Sequence, residues 1–239
     1  MTRHPLSRLV SILAVALAVA GCAADATSAQ KRLEPHYRME RPPGRGPFRA
    51  LLLVPDCRGV TPAGMQTAAD LVSRGYLVAF VDYVAARDRQ TACGGELAPA
   101  EVARDIRAVS AHVRSLSDVR PGAIGVIGWS LGGAGVLASL PGTEFDRQPP
   151  FDAAVAFYPD CRGLSPWKTN VPTLLVLAGR DRSAPPAYCE DVAVRSAGRV
   201  QIQIYPEAAH AFDTPDAFDA AAAREAWGEV LTHFDVRLP

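Results

Sequence analysis

One turn constrains this chain more than any other stretch: Gly128-Trp129-Ser130-Leu131-Gly132-Gly133. Ahead of it runs Ala123-Ile124-Gly125-Val126-Ile127, a short apolar run of the kind that makes a buried strand. Behind it, residues Ala134 to Leu140 are small and apolar, suited to a helix pressed against a sheet. A serine with a glycine two residues before and two after therefore stands between a strand and a helix. Such a turn is too sharp for a Cβ at Gly128 or Gly132, and it forces Ser130 into strained φ/ψ space. The geometry lifts the Ser130 hydroxyl over the carboxyl edge of the sheet. It also aims the Leu131 N–H, at a helix N-terminus, into the space where an oxyanion forms. An ordinary glycine-rich turn shares the five-residue pattern, so the flanks and the downstream residues have to decide.

The flanks continue the same rhythm. Leu51 to Val54 reads as a strand stopped by Pro55, and Pro62 to Ser73 as a helix with proline in its first turn. After Gly75 comes a strand over Tyr76 to Tyr83. A helix over Pro99 to Ser117 follows, with Val102, Ile106, Val109 and Val113 spaced by three and four. Beyond the serine turn, strands are expected at Ala153–Tyr158, Thr173–Ala178 and Val200–Tyr205, with helices at about Pro186–Ala197 and Asp216–Phe234. Strands of continuous rather than alternating hydrophobicity, separated by helices, indicate an α/β chain: a mostly parallel sheet with helices on both faces. Functional residues then belong on loops at the carboxyl ends of the strands.

The amino-terminal 47 residues stand apart. Arg3, His4 and Arg8 precede an apolar run from Leu9 to Ala20, too short for a permanent membrane span. Val19-Ala20-Gly21-Cys22 has the form of a bacterial lipobox, which would make Cys22 the lipidated mature N-terminus; a plain secretory signal is the alternative. Either reading exports the protein to the cell envelope, with the lipid as its one membrane attachment. Ala23 after the cysteine favours sorting to the outer membrane. Residues 1–22 thus form a leader and 23–47 a polar tether and lead-in, in which an edge strand around His36 to Glu40 is possible. Residues 48–239 form the globular domain. The tether ends in the helix-breaking run Arg41-Pro42-Pro43-Gly44-Arg45-Gly46-Pro47. With 25 basic and 25 acidic residues the net charge is zero, which gives no footprint for a nucleic-acid partner.

Export also governs the cysteines. Beside Cys22 there remain Cys57, Cys93, Cys161 and Cys189, an even number that suits two disulfides in an oxidising compartment. Of the three connectivities, Cys57–Cys93 and Cys161–Cys189 is expected, because each pair lies in loops leaving neighbouring strands at one sheet edge. Free thiols are the alternative, and no spacing suggests a metal site.

A serine hydroxyl is a weak nucleophile at neutral pH and needs a base, which in turn needs an orienting carboxylate. Gly179-Arg180-Asp181 follows the strand Thr173–Ala178, and Glu207-Ala208-Ala209-His210 follows Val200–Tyr205. Asp181 and His210 therefore occupy the two loops where such partners belong, in the order serine, acid, histidine. Asp160 is a rival acid, and a helix cap is the alternative role for Asp181. The second oxyanion donor is assigned to the Cys57 backbone N–H, in the loop Pro55-Asp56-Cys57-Arg58-Gly59.

Taken together, the serine turn, Gly179-Arg180-Asp181 with Pro185, Ala209-His210-Ala211-Phe212 and the loop ending Arg58-Gly59 resemble the dienelactone hydrolase family of the α/β-hydrolase superfamily, over about Ala50 to Phe234. The resemblance implies an α/β-hydrolase fold and cleavage of small esters or lactones without metal or organic cofactor. Well-known members use a cysteine nucleophile where this chain has Ser130, and hold a substrate carboxylate with two arginines. Arg87 stands for the first, Thr214 is near the place of the second, and Trp129 is assigned to the substrate pocket. The four cysteines look like those of an exported subgroup. A different class of reading, a non-catalytic envelope lipoprotein that keeps the fold as a binding module, would leave the same residues without turnover.

Overall fold

In the computed structural model, residues 28–140, 150–164, 167–196, 198–215 and 217–239 are described. Seven strands form one sheet: β1 (Met39–Glu40), β2 (Phe48–Val54), β3 (Tyr76–Phe80), β4 (Val119–Trp129), β5 (Ala153–Phe157), β6 (Thr173–Ala178) and β7 (Val200–Tyr205). Their spatial order is β1-β3-β2-β4-β5-β6-β7. Only β1 runs antiparallel, against β3; every other pairing is parallel. The alternating apolar runs predict this mostly parallel sheet, and its arrangement is that of the α/β-hydrolase fold implied by the family resemblance.

Continuous hydrophobicity in the strands has a direct cause, because each strand is covered on both faces. On one side Leu52, Val54, Ile124, Val126, Ala154 and Leu175 meet Val102, Ile106 and Val109 of α2 (Pro99–Arg114) and Val136 of α3 (Leu131–Ser139). On the other side Leu51, Leu53, Ile127, Val155 and Val176 meet Leu71 of α1 (Pro62–Ser73) and Val230 and Phe234 of α5 (Ala220–Arg237). A further helix, α4, spans Ala187–Arg195. Caps explain several boundaries. The Thr61 hydroxyl accepts from Gly64 N–H before Pro62, and Asp219 accepts from Ala221 and Ala222 N–H. The Asp219 cap starts α5 later than the expected Asp216, a residue outside those described.

The lead-in is more ordered than its composition suggests. Residues 28–33 are helical, and Ala29 and Leu33 are buried in the core. The tether reading of 23–47 therefore gives way, from residue 28 on, to chain packed against the sheet. The leader, Cys22 and Ala23 lie outside the described residues, as does most of the loop Pro141 to Phe151. Both expected disulfides are present, Cys57–Cys93 and Cys161–Cys189.

Candidate active site

β4 delivers its last residues into the turn, and the two glycines are required there. A Cβ on Gly128 would stand 2.6 Å from the Gly132 carbonyl oxygen, and one on Gly132 would run into the Val54 and Pro55 carbonyls. Ser130 sits at φ 49°, ψ −116°, a conformation that L residues rarely adopt. It is held there by its N–H on the Phe157 carbonyl (3.0 Å) and by its own carbonyl, which accepts from Ala134 in the first turn of α3. Tyr158 (φ 34°) and Ala211 (φ 64°) are also at positive φ. These strained residues flank the same sheet edge, as strain tends to at functional sites.

The loops after β6 and β7 bring two side chains to that edge. Ser130 Oγ lies 3.0 Å from His210 Nε2, and His210 Nδ1 lies 2.6 Å from Asp181 Oδ2. The Asp181 side chain has no accessible surface, and its other oxygen accepts from the Ser183 and Ala184 amides at 2.8 Å each. An ionised carboxylate with three donors needs no further partner, so it can orient His210 with Nδ1–H toward itself and Nε2 toward the serine. Asp160, the rival acid, is forked by Arg162 instead (2.9 and 2.7 Å), and among the described residues no hydrogen bond joins it to His210. The Cys161–Cys189 bond ties the chain after β5 to α4, next to the Asp181 loop.

The loop after β2 is held from several sides. Tyr83 Oη donates to the Pro55 and Asp56 carbonyls (3.1 and 2.8 Å), and Ala92 N–H donates to the Cys57 carbonyl (2.7 Å). Arg58 N–H is taken by the Asp56 carboxylate, and Gly59 N–H by the Asp56 carbonyl. Among the described residues this leaves the Asp56 and Cys57 N–H groups of that loop without an acceptor, and Leu131 N–H stands at a helix start, where no intrahelical acceptor exists. Tyr83 carries no motif, and its part in fixing this loop is visible only in three dimensions.

Beside the serine turn opens a pocket of about 300 Å³. Trp129 is in its wall as expected, with Leu53, Val60, Phe80, Asp213 and Trp227. Thr214 lines it as well. Asp213 was not singled out by sequence: it accepts from Tyr158 Oη (2.6 Å) and Trp129 Nε1 (2.8 Å). Burial pushes its carboxyl above the usual range, against these two hydrogen bonds, which favour the charged form. Burial, with the Asp213 charge beside it, likewise pushes the Tyr158 phenol well above its ordinary value, so Tyr158 is the donor of the pair. The Tyr158 ring packs 4.7 Å from the His210 ring.

Arg87 is not at this site. Its guanidinium is bound to the Asp105 carboxylate and to the Tyr83 carbonyl (2.8 Å), in a separate cavity with Arg32 and Arg104. The reason is Asp105, a fully buried acid on α2 that also takes Arg32 (2.6 Å); an unpaired charge there would be strongly destabilising. The assignment of Arg87 to substrate is therefore corrected. Among the described residues no group of three or more His, Cys, Asp or Glu is placed to hold a metal ion.

The sequence profile of the dienelactone hydrolase family matches residues 37–238. The chain belongs to that family. Among solved structures, it is similar to a candidate dienelactone hydrolase from Klebsiella pneumoniae subsp. pneumoniae, with 20% identity, TM-score 0.70, and 83% of this chain and 92% of that chain covered. A dienelactone hydrolase-like promiscuous phosphotriesterase from metagenomic libraries gives 16% identity and TM-score 0.65 over 85% and 99% of the two chains. Thermogutta terrifontis esterase 2, phosphonylated by cyclosarin, gives 18% identity and TM-score 0.62 over 85% and 90%. At these identities the structural likeness establishes the fold, while the family match makes this dienelactone hydrolase family member one of a family of hydrolases. No curated protein gives a significant match.

Proposed function

We propose that this family member is a serine hydrolase of small carboxylic esters or lactones, working through an acyl-enzyme. The observation that carries the reading is the unbroken hydrogen-bonded series Ser130 Oγ, His210, Asp181 at 3.0 and 2.6 Å. Ser130 Oγ attacks the carbonyl carbon as its proton passes to His210 Nε2, and the Leu131 and Cys57 amides hold the oxyanion. Collapse expels the alcohol, which leaves with that proton. Water, giving a proton to His210, then attacks the acyl carbon, and the carboxylic acid departs as Ser130 recovers its hydrogen. Asp181 stays ionised throughout, fixing the tautomer and stabilising the imidazolium. A fluorophosphonate probe should label the wild-type chain on Ser130 and leave Ser130→Ala unlabelled. Absence of labelling on folded wild-type protein would refute the reading and favour a binding module.

The chemistry of residues 1–22 supports export with a lipid on Cys22, so the hydrolase would work at a membrane face of the envelope. Cys22→Ala should then move the chain from the membrane to the soluble fraction. Retention of that variant in the membrane fraction would rule out the anchor.

A further inference from the structure

The pocket beside the serine turn holds a carboxyl group, that of Asp213, which the hydrolytic steps leave unused. Asp213 accepts side-chain hydrogen bonds from Tyr158 on Oδ1 and from Trp129 on Oδ2, and a carboxylate has acceptor capacity beyond these. The residue is only partly buried, and it is in the pocket wall that it remains accessible. Among the described residues no lysine or arginine is ion-paired with it. Arg58, which also lines the pocket, lies fork-on-fork along Asp56 (3.0 and 2.6 Å), and Arg87 is taken by Asp105. The rest of the wall is mainly apolar, with Leu53, Phe80 and Trp227, so a charge placed there is weakly screened.

We infer that Asp213 makes this pocket select esters whose pocket-side group is an ammonium or a neutral hydrogen-bond donor, and reject esters that carry a carboxylate. The inference rests on the serine hydrolase reading above and names its substrate class. A hydroxyl or ammonium entering the pocket meets an acceptor fixed in place by Tyr158 and Trp129, so little ordering of the protein opposes binding. A substrate carboxylate meets another carboxylate in a mainly apolar wall, and the arginine in that wall, Arg58, is already paired with Asp56. Thr214, also in this wall, is neutral, and Arg87 lines another cavity.

The test compares 4-(aminomethyl)phenyl, 4-(hydroxymethyl)phenyl and 4-carboxyphenyl acetates, and phenyl benzoates bearing the same groups on the acyl ring. The full chain should cleave the aminomethyl and hydroxymethyl esters of at least one series with kcat/KM about tenfold or more above the carboxylate. Asp213→Asn should narrow the aminomethyl-to-carboxylate ratio by about tenfold, chiefly through KM. Thr214→Arg, which places a cation in the same wall, should narrow it independently by raising the carboxylate rate. Equal rates in both series, or ratios unmoved in both variants, would overturn the inference while fluorophosphonate labelling and turnover persist. No turnover together with no labelling would instead bring down the hydrolase reading, and this inference with it.

Discussion

Consider Asp181→Asn, which changes one atom of the group that orients His210. Asp181 Oδ1 receives two backbone amides, from Ser183 and Ala184, while Oδ2 receives His210 Nδ1. In the variant the amide NH₂ cannot face two N–H donors without leaving three donors clashing in a buried space. It must therefore point at His210. Nδ1 then becomes the acceptor, the proton moves to Nε2, and the nitrogen facing Ser130 can no longer take its proton. The fold loses little, since a charge-assisted hydrogen bond is replaced by a neutral one at a cost of about 1 kcal/mol, a shift in Tm of roughly 2–4 °C. The rate loses far more: kcat should fall by about 10⁴, the size of effect that a wrong tautomer produces in serine hydrolases. Steady-state hydrolysis of 4-nitrophenyl acetate, read beside thermal unfolding of the same samples, separates the two. A variant that folds normally and keeps kcat within tenfold of wild type would refute the orienting role of Asp181.

Three further outcomes follow from single features. His233 is 4% exposed, and burial, with the Arg237 cation nearby, lowers its pKa to about 4. The unfolded chain takes up that proton below about pH 6.5, so this contribution is complete above pH 6.5 and fades toward pH 4, by on the order of 3 kcal/mol. His233→Leu should flatten urea-measured stability over that window, and a slope equal to wild type would contradict the account. Replacing Cys57 and Cys93 by serine frees the loop after β2, which is proposed to supply an oxyanion donor, and should lower kcat by about tenfold or more. Unchanged turnover with the bond absent would show that Tyr83 and the local hydrogen bonds suffice. Gly128→Ala puts a Cβ 2.6 Å from the Gly132 oxygen and should cost about 1–3 kcal/mol in urea unfolding, with loss of turnover.

Much of this fold is readable in one dimension because parallel strands covered on both faces leave uninterrupted apolar runs. Thr173–Ala178 and Val200–Tyr205 fall within the observed strand limits, and Pro62–Ser73 coincides with a helix that starts on its proline. The lead-in misled because Ala29 and Leu33 are isolated apolar residues in a polar stretch, and periodicity cannot show that they meet a core. Arg87 was assigned through the family resemblance, which does not show that the packing of α2 buries Asp105 and draws both Arg87 and Arg32 to it.

What the sequence by itself determined is the architecture and the candidate site residues: a glycine-bounded serine between strand and helix, an acid and a histidine after later strands, and two pairs of cysteines. These are legible because backbone sterics and the order of βα units act locally. Only the tertiary structure decided which side chains meet. It placed His210 within reach of Ser130, gave Asp181 two amides, turned Asp160 and Arg87 elsewhere, and set Asp213 into the pocket wall between Trp129 and Tyr158. The contacts of His210 with Ser130 and of Asp213 with Trp129 and Tyr158 join residues far apart in the chain. Burial and the demand that buried charge find partners are properties of the assembled fold, and no local spacing encodes them.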